Sequence, residues 1–145
     1  MGLFFGVACS LQKFNRIFIL QNKIIRCINF KGHFSHTEGS FKKNKILKLV
    51  DLRKLEICKF IYVELHVTHL FNLRSHLHLH SYWTRNRSNL VVNYSRTRIA
   101  SNFVLNKGIT LYNDLQVSIK SAPNSSTFRN RLRNCLLNQY FSETV

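Results

Sequence analysis

The stretch that decides the fold is Asp51-Leu52-Arg53-Lys54-Leu55-Glu56-Ile57-Cys58-Lys59-Phe60-Ile61-Tyr62-Val63-Glu64-Leu65-His66. Leu52, Leu55, Cys58, Tyr62 and Leu65 recur at three- and four-residue steps, and Ile57 and Ile61 widen the stripe. That spacing brings them to one face of a 3.6-residue repeat and predicts an amphipathic helix over about 51–66. Asp51 places a carboxylate at the N-terminal end, where the helix dipole favours negative charge. A basic stretch, Lys42, Lys43, Lys45 and Lys48, carries Ile46, Leu47, Leu49 and Val50 into this helix.

Working outward, Leu11, Phe14, Ile17, Phe18, Leu20, Ile24, Cys27 and Ile28 repeat the same period, with Lys13, Arg16, Lys23 and Arg26 between them. A second amphipathic helix, with a basic outer face, is predicted over 11–28. Asn29 and the polar, glycine-bearing loop Lys31 to Gly39 end it. Two such helices need cover, from each other or from a partner outside this chain. Beyond His66 the period fades; Leu90 to Tyr94 and Ile99 to Leu105 are short runs rich in β-branched or aromatic residues and predict a small irregular hairpin. Ile109 to Leu115 predicts one or two helical turns. After Pro123, a third amphipathic helix is predicted over 126–140, with Ser125 or Ser126 as its cap and Phe128, Leu132, Cys135, Leu136 and Tyr140 as its core stripe. The expected fold class is mainly α, three amphipathic helices with a small irregular β hairpin in the middle, α+β at most. Residues 1–145 are read as one domain or fragment, with 67–106 as mixed loop and short strands.

At 145 residues the chain has no room for a two-domain enzyme. Lys plus Arg number 22 against 6 Asp plus Glu, a net charge of +16, so a polyanion is the first partner to consider, and nucleic acid the first polyanion. With 45% hydrophobic residues the chain is too apolar for a disordered basic tail. The acids Glu38, Asp51, Glu56, Glu64, Asp114 and Glu143 are scattered, which argues against chemistry that needs paired carboxylates, such as two-metal phosphoryl transfer or glycoside hydrolysis. Cys9, Cys27, Cys58 and Cys135 form no C-x-x-C pair and read as free thiols, which suits a cytoplasmic or nuclear location. Every apolar run is interrupted by Lys or Arg before reaching the length of a membrane span, so no membrane partner is expected.

His76, His78 and His80 alternate with leucines and would share one side of an extended segment, with His66 and His69 upstream. The same string arises on a half-buried strand with one solvated face, and that reading is preferred, so no metal and no other cofactor is expected. Neither a phosphate-cradling glycine loop nor a nucleophile elbow is present. Arg85, Arg87, Arg96 and Arg98 cluster near Tyr82, Trp83 and Tyr94, mixing cations that grip phosphate with rings on which bases stack. The candidate nucleic-acid-binding residues are therefore Arg85, Arg87, Arg96, Arg98, Arg129, Arg133, Tyr82 and Trp83, with no catalytic residue among them.

The order of several blocks resembles the region beyond the thumb in reverse transcriptases of jockey-like non-LTR (LINE-type) retrotransposons. The first blocks are Phe18 to Arg26, His36-Thr37, and Ile46 to Tyr62. His80-Ser81-Tyr82-Trp83-Thr84-Arg85-Asn86 is similar to that family's H-x-Y-x-T-R-x signature. Lys107 to Leu115 is similar to its G-x-x-L-[YW]-N-x-L-P segment, with Gln116 where the family has proline, and Ser126 to Arg133 to its closing S-x-F-K-x-x-L-K helix. The resemblance implies a detached C-terminal piece of an RNA-directed DNA polymerase. The family's activity lies in palm aspartates, and no Asp-Asp pair occurs here, so no catalytic residue carries over. It also implies two partners, RNA or DNA held weakly and non-specifically, and the polymerase core of the parent element. Two other readings stand beside it: a transposon relic with no independent activity, and a small basic secreted protein suggested by the apolar residues 2–11.

Overall fold

The computed structural model describes residues 11–69, 89–92, 96–97 and 103–142. It is mainly helical: α1 (Leu11–Ile28), α2 (Glu38–Lys43), α3 (Leu49–Val63), α4 (Val104–Asn113), α5 (Val117–Lys120) and α6 (Ser125–Ser142). A π-helical turn, Glu64–Thr68, extends α3 and ends at His69, whose backbone is left-handed at φ 53°.

α3 is central, covered by α4 and α6, with α1 against its outer side. Leu55, Ile57, Cys58, Ile61 and Tyr62 are buried on α3 and Leu65 in the π turn, so the predicted stripe is buried except for Leu52, which is exposed. Leu52 is left out because α4 and α6 cover the side of α3 that carries Ile57, Ile61 and Tyr62. The approach of α4 is set by Gly108: a Cβ there would lie 2.9 Å from Ile61 Cγ1 and 3.0 Å from Ile57 Cγ2. Phe128 of α6 is fully buried beside this contact, its ring 4.4 Å from that of Tyr62 and 6.1 Å from that of Tyr112. The Tyr62 hydroxyl donates to the Ala122 carbonyl at 2.7 Å, which satisfies a polar group that would otherwise be buried unpaired.

The hairpin is not seen among the described residues. Val104 and Leu105, read as the end of its second strand, instead open α4, because Leu105, Gly108, Ile109 and Tyr112 form one face packed toward the core. Local β-branched composition gave way to a longer-range helical period. Leu90 pairs with a side chain: Asn113 accepts its N–H at 2.9 Å and donates to its carbonyl at 2.8 Å, as a neighbouring strand would. The runs at 93–95 and 98–102 lie outside the described residues.

Two further expectations are corrected. Residues 38–43, taken as the end of a loop and the start of a basic stretch, form α2, because Phe41 is buried where α2 meets α1 and α6. The cap of α6 is Asn124, whose Oδ1 accepts the Thr127 N–H at 2.7 Å; Ser125 and Ser126 already lie inside the first turn.

The entry into α3 is held by side chains distant in sequence. Gln21 of α1 donates to the Leu47 carbonyl and accepts the Leu49 N–H, both at 2.9 Å, so it supplies a partner for an N–H that the helix start leaves open. The Tyr140 hydroxyl accepts the Lys48 N–H at 2.9 Å and donates to the buried Asp51 carboxylate. Tyr140→Phe strands both groups and lowers stability by about 2 kcal/mol in denaturant melts, whereas Leu52→Ala at the exposed position changes it by less than about 0.5 kcal/mol. Gly108→Ala destabilises by about 1 kcal/mol in the same assay, overpacking against Ile57 and Ile61 outweighing the gain in helix propensity.

Candidate nucleic-acid interface

The surplus of cations means that most have no acid to meet, and the folded chain decides which. Glu38 Oε1 lies 2.9 Å from Lys48 Nζ, and the hydrogen bond and charge of that lysine hold its carboxyl below the usual glutamate value. Asp51 takes the Tyr140 hydroxyl and sits 3.5 Å from Lys54 Nζ. Glu56 lies 3.8 Å from Arg129 Nη2. Glu64 is buried in the π turn and accepts the Thr68 hydroxyl. These pairings leave Lys13, Arg16 and Lys23 of α1 exposed with no acidic partner among the described residues, on a helix that contains no Asp or Glu.

Of the eight candidate residues, Tyr82, Trp83, Arg85, Arg87 and Arg98 lie outside the described residues, as do Tyr94, His76, His78 and His80. Arg96 is exposed. Arg129 and Arg133 are exposed one turn apart on α6, and both already tie elements together: Arg129 faces Glu56 of α3, and Arg133 Nη2 donates to the Lys45 carbonyl at 3.2 Å, just beyond α2. Arg131 points elsewhere and donates to Ser118 O at 2.6 Å. A guanidinium has five N–H donors in a fixed fork, so one such contact orients each arginine and leaves donors for phosphate.

Other chemistries find less. His66 and His69 are exposed; the His66 ring lies 4.5 Å from that of Tyr62, and the left-handed backbone at His69 breaks the helical register between the pair. Among the described residues no group of three or more His, Cys, Asp or Glu is placed to hold a metal ion. No helix among the described residues is long and apolar enough to cross a membrane. Cys58 is buried and its thiol is pushed up to about 12, chiefly by desolvation, which removes the thiolate that nucleophilic attack requires. Lys120 is half-buried, donates to the Asn113 carbonyl at 2.8 Å, and is shifted down by desolvation; it closes the end of α4.

Sequence reasoning missed two residues that the fold turns fully outward, Phe30 and Phe34, in the loop between α1 and α2. Their signal was there: both rings fall outside the core stripe of either flanking helix, in a segment of Gly, Ser, His and Lys. In the native protein at pH 8, an alkylating reagent labels exposed Cys27 and spares Cys58 until denaturant is added; peptide mass mapping reads the difference.

Comparison of the chain with protein-family models, with curated proteins and with solved structures finds no match.

Proposed function

We propose that this chain is a C-terminal segment of a LINE-type retrotransposon reverse transcriptase, without catalysis of its own, that holds RNA or DNA weakly and without sequence preference. The observation that carries this reading is the outer surface of α1. Ile17, Leu20, Ile24 and Ile28 form an exposed apolar stripe along it, bordered by Lys13, Arg16 and Lys23. Such a stripe suits a helix that lies on another body, here the polymerase core of the parent element, while the acid-free edge suits backbone phosphate. Two of the blocks that carry the resemblance also do physical work. Gly108, Tyr112 and Asn113 bring α4 onto α3 and clamp Leu90, and Phe128 and Leu132 fill the interior. Arg85 and Arg96 remain candidate phosphate contacts beside Arg129 and Arg133.

The same apolar stripe favours a second reading, a relic that self-associates because its natural cover is missing. A monodisperse chain with a cooperative thermal transition counts against it.

Binding to labelled single-stranded RNA or DNA is expected to weaken steeply with salt. Because each neutralised phosphate contributes a slope of about −0.7 for single strands, a Lys13→Gln, Arg16→Gln, Lys23→Gln variant lowers the slope of log K against log salt by about 2 in magnitude. Micromolar protein that leaves both nucleic acids unbound at low salt overturns the binding role. A genomic neighbourhood without an upstream palm-encoding frame overturns the origin.

A further inference from the structure

The loop between α1 and α2 exposes two aromatic rings almost completely: Phe30 is 99% and Phe34 94% exposed. Phe41 and Phe128, by contrast, are drawn into the interior, and Phe103, the next most exposed phenylalanine among the described residues, is 58% exposed. The loop is tied down by hydrogen bonds. At the end of α1 the Lys31 N–H donates to the Arg26 carbonyl at 2.9 Å and the Phe30 N–H to that of Cys27 at 3.2 Å. This closure puts Phe30 at φ 50°, the left-handed position that glycine or asparagine ordinarily takes, and the ring projects from it into solvent. Arg26 Nε donates across the loop to the Ser35 carbonyl at 3.0 Å, and Ser35 Oγ donates to the Gly32 carbonyl at 2.7 Å. The His33 ring meets Phe34 edge-on, with centroids 5.0 Å apart.

The charges nearest these rings in sequence have one sign. Lys23, Arg26 and Lys31 are close in sequence, and the next acid, Glu38, is taken by Lys48. A second copy of this chain would bring the same surplus of positive charge to the contact. A lipid bilayer would have to desolvate Gly32, His33, Ser35 and His36 together with the rings. A polyanion that carries its own flat apolar faces meets both demands, and unpaired nucleobases on a phosphate backbone have that chemistry. In a duplex those faces are already stacked on one another and are not offered.

We infer that Phe30 and Phe34 are a stacking site for unpaired bases of single-stranded RNA or DNA, with Lys23, Arg26 and Lys31 meeting the flanking phosphates. This deepens the binding role proposed above and rests on it. Both rings are exposed, so replacing them leaves the fold in place, and an unchanged thermal midpoint is the control. Fluorescence anisotropy with a labelled oligothymidylate, an abasic strand of the same phosphate count, and a duplex separates the contributions. The wild-type chain is expected to prefer the oligothymidylate to the abasic strand by about tenfold or more. Phe30→Ala with Phe34→Ala abolishes that preference and leaves the salt slope unchanged, while Phe30→Trp with Phe34→Trp keeps it. Wild-type protein that binds no nucleic acid overturns the binding role itself. Salt-dependent binding that is equal for the abasic strand, or indifferent to the alanine pair, overturns the stacking site alone. Loss of binding to phosphatidylserine vesicles in the alanine pair, with oligothymidylate binding intact, also overturns it and assigns the loop to membranes.

Discussion

Phe128 is the residue on which the arrangement of helices depends. Its ring is wholly withdrawn from solvent, stacked on Tyr62 of α3 and within reach of Tyr112 of α4, so a single side chain from α6 joins three helices. Aromatic pairs at such separations contribute beyond the area they bury, and Phe128 takes part in two of them. The second constraint is the close approach of α4 to α3, where the absence of a Cβ at Gly108 lets α4 come within contact of Ile57 and Ile61. With both contacts made, α4 and α6 have little freedom left, and the exposed or half-exposed residues of α3 turn toward α1 and solvent.

Around that centre, polar side chains serve the irregular backbone. Gln21 and Tyr140 satisfy the segment that leads into α3, Asn113 pairs with Leu90, Asn124 starts α6, and Lys120 and Arg133 answer carbonyls at the ends of α4 and α2. Each replaces a hydrogen bond that regular structure would have supplied, and those of Gln21, Tyr140, Asn113 and Arg133 reach across a distance in sequence that no local pattern encodes. Glu38, Asp51, Glu56 and Glu64 are similarly committed, each to a partner of its own, and among the described residues no three acids, histidines or cysteines gather to hold a metal ion. The remaining positive charge faces outward on α1 and α6.

The proposed role follows from that distribution. A helix with an uncovered apolar stripe and no acid, followed by a hydrogen-bonded loop that exposes two aromatic rings, offers a surface to something anionic and flat.

The amino-acid sequence by itself determined the helical class and the long helices, because the periods of α1, α3 and α6 are written in Leu, Ile and Phe at three- and four-residue steps. Within the site it indicated the cationic edge of α1 and the arginines of α6, since charge is read directly from residue type. It misjudged Val104 and Leu105, where β-branched neighbours suggested a strand and burial against α3 imposed a helix, and it misassigned the cap of α6 by one or two residues. Only the tertiary structure decided that Leu52 faces solvent, that Arg129 and Arg133 also act as ties, and that Phe30 and Phe34 project almost wholly into solvent. The physical reason is common to all three. Periodicity states which residues share a face, but which face is covered depends on partners brought together from far along the chain.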